Sequence, residues 1–110
     1  MQRLQMGVDN LGANVQGAVQ QSDTIYAIVL VANTSQQIAI PSGANFVVCA
    51  ASGAADFYMK FVNAAIAVPS ANIVDGTAPE LNPLVRSCSG KSYISLVSGA
   101  ACTVTLAFYS

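Results

Sequence analysis

The sequence predicts an all-β protein, a single β-sandwich or jelly-roll-like domain preceded by an extended N-terminal arm. Three observations predict this fold class. Short apolar or alternating segments recur at a spacing of about ten residues, Gly and Pro separate them, and no long segment has the period of a helix. Six to eight short strands punctuated in this way are typical of sandwiches and jelly rolls.

The 110 residues are enough for one domain with a real hydrophobic core. We predict that residues 23–110 form the sandwich and that residues 1–22 form the arm. The arm segment is polar and Gln-rich, and its few apolar residues follow neither the helical nor the strand period. A short helix near residues 15–20 is an alternative, but an extended docking arm fits the pattern better.

The first half of the sandwich contains four predicted strands. Residues 25–31 form a continuous apolar run, which predicts a central strand buried on both faces. Residues 36–40 and 46–51 are the next two strands. In residues 56–61 the alternation of apolar and polar side chains predicts another strand, which residues 64–68 either continue or follow with a strand of their own.

The second half begins with a long connection, residues 69–83, which is rich in Pro and turn residues. Residues 93–97 and 102–109 are then predicted to pair as a hairpin. The tripeptide Ser-Gly-Ala occurs at residues 42–44, 52–54 and 98–100, and we interpret each glycine as supplying a positive φ at a hairpin end.

Charged residues make up only 8% of the chain, against about 25% in average soluble proteins. Four basic and five acidic residues cannot cover the exterior of a domain of this size. The rest of the surface is either carried by Ser, Thr, Asn and Gln, as in a soluble monomer, or buried against other subunits, and we expect association, with copies of the chain as a homodimer or homotrimer or with other subunits. The scattered basic residues form no patch for nucleic acid, and no segment is suited to a membrane surface or a signal peptide. We therefore expect a protein made in a cytoplasm.

The sequence offers little material for catalysis. It has no histidine, which removes the commonest general base and metal ligand. Asp75 and Glu80 could approach each other as a carboxylate pair, but the favoured alternative is a turn at Asp75 and a Glu80 side chain that is solvated or pairs with Arg86. We expect no enzyme activity, no cofactor and no metal site.

Two other residue types were candidates for a special role. The three cysteines, Cys49, Cys88 and Cys102, have spacings that fit neither a metal knuckle nor a disulfide framework, and Cys49 and Cys102 are expected to be small core hydrophobes. Tyr58 and Tyr109 lie opposite the apolar stripes of their strands, so they are candidates for an exposed sugar-binding platform or for sheet-surface packing.

Two segments in the last half of the chain have a distinctive sequence. One runs from Val68 to Arg86 and contains Asp75-Gly76 followed by Glu80-Leu81-Asn82-Pro83. The other is the closing pair of predicted strands, residues 93–97 and 102–109. Together they resemble the capsid decoration, or cement, proteins of tailed bacteriophages, and the resemblance covers roughly the last half of the chain.

The resemblance implies a jelly-roll-like sandwich that self-associates on the outer face of a virion capsid, after assembly in the cytoplasm of a bacterial host. There it would bridge neighbouring major capsid subunits; a tail or fibre accessory, or a carbohydrate-binding virion module, is the alternative. The residues expected to bind partners lie in the arm and in the long connection: Arg3, Leu4, Met6, Val8, Leu11, Asn72, Asp75, Glu80, Asn82 and Arg86.

Overall fold

The computed structural model describes residues 1, 3, 6–8, 14–53 and 55–110, with the backbone alone described for residues 6–8 and 14–19. The described residues form strands, turns and loops without a helix, as an all-β protein requires. In chain order the strands are β1 Met6–Val8, β2 Asn14–Val19, β3 Thr24–Leu30, β4 Gln36–Ala39, β5 Phe46–Ala51, β6 Phe57–Lys60, β7 Glu80–Leu81, β8 Val85–Ser87, β9 Tyr93–Ser98 and β10 Cys102–Tyr109.

Two antiparallel four-stranded sheets contain β3 to β10. Their strand orders are β3-β10-β5-β8, here the first sheet, and β4-β9-β6-β7, here the second sheet. The prediction of an all-β, sandwich-like architecture is therefore confirmed. β1 and β2 pair with each other in a separate two-stranded sheet. The alternative prediction of a short helix near residues 15–20 is therefore wrong. The docking role of this arm stays a prediction.

The core lies between the two four-stranded sheets and is built by the alternation of side chains along each strand. β10 shows this most clearly, because Val104, Leu106 and Phe108 are fully buried while Thr105 and Ala107 between them are half-buried. The ring of Tyr26 meets the ring of Phe108 edge to face, with 5.1 Å between the ring centroids. The buried apolar cluster consists of Leu30, Ala44, Val47, Cys49, Phe57, Met59, Cys88, Ile94, Leu96, Cys102, Val104, Leu106 and Phe108.

The closing hairpin predicted from the sequence is wrong. β9 lies in the second sheet and β10 in the first, so residues 99–101 carry the chain across the core and do not turn it back on itself. The two other Ser-Gly-Ala segments do the same, since they join β4 to β5 and β5 to β6 across the two sheets. The positive φ expected at their glycines is present at Gly43 (86°) and Gly53 (70°), whereas Gly99 has no positive φ.

Two strand predictions also need correction. β3 is an edge strand of the first sheet, not a central one, and one of its faces is exposed although it is apolar. Residues 64–68 form no strand. Ile66 N instead donates a hydrogen bond to Ser35 Oγ at 3.2 Å, and Ala64 O accepts one from Ser95 Oγ at 2.8 Å. These contacts hold the segment across the outer side of the second sheet.

Candidate docking surface

The outer sides of the two sheets differ in how they are covered. In β9, Ile94 and Leu96 face the core, so Ser95 and Val97 must point outward from the second sheet. Both are nevertheless buried, with 0% and 1% of their surface exposed. The connection that follows β6 lies over Ser95, whose Oγ donates to Ala64 O, and Lys60 Nζ holds its later part by donating to Thr77 O at 2.7 Å.

Within the part of the chain that the structure describes, most of the outer side of the first sheet is not covered in this way. Its outward positions include Val29, 67% exposed, Val85, 47% exposed, and Ile25, 44% exposed. We call the exposed and half-buried outward residues of this sheet the bare face. It consists of Ile25, Ala27, Val29, Phe46, Val48, Ala50, Val85, Ser87, Thr103, Thr105 and Ala107.

The register of the strands arranges the bare face in continuous rows. One row passes from Ile25 through Ala107 and Val48 to Val85, so four aliphatic side chains lie side by side across the whole sheet. The next row is Ala27, Thr105 and Ala50. None of the bare-face positions carries a charge, so the surface is flat, apolar and able to contact a protein without desolvating an ion.

The bare face ends where the chain enters β3. Tyr109 also points outward from the first sheet, yet it is only 5% exposed, and its hydroxyl donates to Gln20 O at 2.7 Å. Ser22 Oγ donates to Phe108 O at 2.6 Å and fixes the same stretch of chain. Tyr109 is therefore not available as half of an exposed sugar-binding platform, and Tyr58 is half-buried.

Among the predicted site residues of the long connection, Glu80 and Arg86 contact each other, whereas Asp75 and Asn82 contact residues outside the predicted set. Asp75 Oδ1 accepts hydrogen bonds from both Thr77 N and Thr77 Oγ1, at 3.1 and 2.6 Å, and these bonds lower the pKa of Asp75. Gly76 follows with φ 87°, as expected of an Asp-Gly turn. Asn72 is exposed in the same loop.

Glu80 and Arg86 form an ion pair, which is the arrangement favoured over a carboxylate pair with Asp75. Arg86 Nε donates to the two carboxylate oxygens of Glu80 at 2.9 and 3.0 Å, and Arg86 Nη2 also donates to Glu80 Oε2. These bonds lower the pKa of Glu80 and raise the pKa of Arg86. Both side chains remain nearly half exposed, so a partner could still contact the pair.

Asn82 has a structural role that the sequence pattern did not reveal. It lies in the left-handed region at φ 46°, where Asn is tolerated better than most residues. Its Oδ1 accepts from Phe57 N at 3.0 Å and its Nδ2 donates to Asp56 Oδ1 at 2.9 Å. Asn82 thereby ties the long connection to the start of β6, beside an open cleft of about 310 Å³ lined partly by Asp56, Phe57 and Leu84.

The predicted site residues of the arm are described only in part. Arg3 is exposed, and Met6 and Val8 belong to β1. Leu4 and Leu11 lie outside the described residues. The structure thus places Met6 and Val8 on one strand, Arg3 ahead of that strand, and the candidates from Asn72 to Arg86 in or beside the long connection.

The cysteines belong to the interior. Cys49, Cys88 and Cys102 are free and buried, and Cys49 Sγ lies 3.8 Å from Met59 Sδ. Burial raises the pKa of the Cys49 thiol to about 11, and burial also raises that of Cys88. A thiol in this state is protonated and a poor nucleophile at neutral pH, as expected of a core residue.

Two further kinds of site were considered over the described part of the chain. There, no three His, Cys, Asp or Glu side chains cluster closely enough to hold a metal ion. The same residues include no helix with the length and apolarity needed to cross a bilayer. No protein-family model, curated protein sequence or solved structure was found to match the chain.

Proposed function

We propose that the chain is a structural virion protein that decorates and stabilises the outer surface of a bacteriophage capsid by bridging major capsid subunits. The bare face is the observation that carries this proposal. A domain with nine charged residues and one uncharged, largely apolar sheet surface is poorly equipped to remain a separate particle. Contact with other subunits would remove that surface from water.

The chemistry of the bare face favours a large, flat protein partner. Its aliphatic rows and small threonine and alanine side chains can pack against another surface without leaving a buried charge. They offer neither a deep pocket nor a cluster of polar groups of the kind that orients a small ligand. A repeated protein lattice such as a capsid exterior presents a partner of this kind.

The order of the strands supports the jelly-roll form of the fold. Counted from β3, the first strand of the sandwich lies beside the last, and successive strands alternate between the sheets except at β6 and β7. This is the order expected of a jelly roll, an architecture common in viral capsid proteins. Because a fold alone does not establish a function, the order of the strands only supports the proposal, and the bare face is the main argument for it.

The arm and the long connection would supply further contacts. Arg3, Met6 and Val8 precede the sandwich, and the Glu80–Arg86 pair lies at the edge where β7 and β8 meet solvent. An exposed bidentate pair can exchange partners with charges on a capsid subunit at little cost. The proposed location is the capsid exterior, with major capsid protein and copies of the chain as partners.

The test compares two matched variants on opposite sides of the sandwich. Ala50 is exposed on the bare face, whereas Ala67 is exposed on the segment that covers the second sheet. Each variant is mixed with capsids that lack the protein, and bound protein is measured by co-sedimentation and cryo-electron microscopy. Ala50→Lys should lower occupancy at least tenfold, and Ala67→Lys should leave it unchanged. Equal binding by both variants, or no binding by the wild type, would refute the proposal.

A further inference from the structure

β3 leaves one side of its backbone without a strand partner. It pairs with β10 on one side and is the terminal strand of the first sheet on the other, among all strands that the structure describes. It is seven residues long and contains neither a charge nor a proline. Natural proteins usually protect such an edge, because its free N–H and C=O groups can pair with another chain.

The pattern of hydrogen bonds shows which groups of β3 point away from β10. Thr103 N donates to Ser52 Oγ and Thr103 O accepts from Ser52 N, so the polar backbone of Thr103 faces the β5 side. In an antiparallel ladder this direction alternates from residue to residue. Val104, Leu106 and Phe108 therefore face β3.

The partners of those three residues on β3 are Ile28, Tyr26 and Thr24, whose backbone groups must face β10. The free edge is thus formed by the N–H and C=O groups of Ile25, Ala27 and Val29. Gln36 Nε2 confirms the direction at one end, since it reaches across the edge and donates to Val29 O at 2.6 Å.

We propose that two copies of the chain pair through this edge, with β3 antiparallel to β3 of the second copy about a two-fold axis at Ala27. Centred there, Ala27 faces Ala27 and Ile25 faces Val29 of the other copy. Every outward N–H and C=O of these residues then finds a partner, because Val29 O retains a second lone pair beside Gln36. The side chains brought together are aliphatic and match each other.

The other edges of the two four-stranded sheets are less suited to this pairing. β8 has three residues and carries Arg86, and β7 has two residues and carries Glu80. β4 has four residues, two of them glutamines. Short strands and charges are devices that blunt an edge, and β3 has neither.

The pairing would also extend the bare face. The first sheets of the two copies would become one continuous sheet, with their bare faces on the same side. As a step in capsid attachment this rests on the proposed function, whereas the pairing itself is tested without capsids.

The first test uses Ala27→Pro. The N–H that proline removes points out of the sheet in a single copy, which is the position where an edge strand tolerates proline. The wild type should sediment at twice the 11.3 kDa of one chain, Ala27→Pro at the mass of one chain, and the control Ala50→Lys at the wild-type mass. A monomeric wild type, or a dimeric and folded Ala27→Pro, would overturn the proposal.

The second test holds even if Ala27→Pro fails to fold. Across a hydrogen-bonded antiparallel pair the Cα atoms lie about 5.5 Å apart, a distance that a disulfide spans. Ala27→Cys should therefore form a covalent dimer on oxidation with diamide, whereas Ala50→Cys, equally exposed but two strands away from the edge, should not. The native cysteines are buried and give a low background. Absence of the Ala27→Cys dimer would refute the register.

If Ala50→Lys dimerises normally but does not bind capsids, the bare face is needed for capsid binding and not for the β3 pairing. Loss of the dimer in Ala27→Pro with retained capsid binding separates the two proposals in the other direction. Each result therefore identifies the surface responsible.

Discussion

A charge introduced into β10 should destabilise the protein strongly on the core side of the strand and only slightly on the other side. Leu106 is fully buried at the centre of this strand, with Tyr26 and Cys49 as its neighbours on β3 and β5. Thr105 lies one position away on the bare face. Replacing each with aspartate places a carboxylate in the core in one variant and at the solvent-exposed sheet surface in the other.

The expected magnitudes follow from burial. Truncating a fully buried leucine to alanine costs about 2–5 kcal/mol, a large part of the roughly 5–15 kcal/mol that stabilises a typical domain. A carboxylate at the same position adds the cost of removing a charge from water, so Leu106→Asp should not fold. Thr105→Asp should change the free energy of unfolding by no more than about 1 kcal/mol.

Urea denaturation followed by circular dichroism at equal protein concentration measures both effects, with Leu106→Ala as the intermediate case. Soluble Leu106→Asp that unfolds cooperatively near the wild-type midpoint would refute the assignment of this side to the core. Unfolded Thr105→Asp would refute the assignment of the other side to the bare face.

Three further predictions concern the interior and the long connection. The Cys49 thiol should react with a maleimide only on unfolding. Its pKa in the folded protein, about 11, exceeds the ordinary value of 9.0, so its contribution to stability should be full below pH 9 and be lost as the pH rises toward 11. Urea titrations between pH 8 and 11 would show this loss. Asn82→Ala should lower the free energy of unfolding by about 1–3 kcal/mol, because Phe57 N loses its acceptor and the left-handed backbone loses a tolerant residue; an unchanged urea midpoint would contradict this. Glu80→Gln should destabilise slightly at neutral pH, with the difference vanishing as the pH falls through the lowered pKa of Glu80, where wild type and variant should acquire the same midpoint.

The sequence was a good guide to the strands and a poor guide to their partners. Residues 46–51 were predicted as a strand and match β5 because Gly43 and Gly53 lie in the turns on either side of it. A short Ser-Gly-Ala segment between β9 and β10 predicts a hairpin. The same tripeptide, however, also suits a link that crosses from one sheet to the other. The two cases are distinguished by the pairing of β10 with β5 and of β9 with β6.

The composition of the chain predicts an exterior with few charges, but it does not predict where on the domain the bare face lies. The shortage of charges indicated an unusual exterior, and the Thr/Ala side of residues 102–109 was visible as an alternation. The continuous apolar run at residues 25–31, however, was interpreted as a doubly buried strand. Periodicity cannot distinguish such a strand from an edge strand with an exposed apolar face, because both lack polar residues.

The connection after β6 shows the same limit of local patterns. Residues 64–68 have strand-like apolarity, yet they lie over Ser95 and form no ladder. Their apolar character serves to cover the second sheet. That role depends on the long-range contact between Ser35, Ser95 and residue 66, which no local pattern encodes.

The orientation of the chain on a decorated capsid tests the account most directly. Cryo-electron microscopy of capsids mixed with the protein would show which side of the sandwich meets the shell. We expect the sheet β3-β10-β5-β8 to lie against the shell with Val29, Ala50 and Thr105 removed from solvent. A decorated capsid with this sheet facing solvent, or a capsid that remains undecorated, would contradict the account.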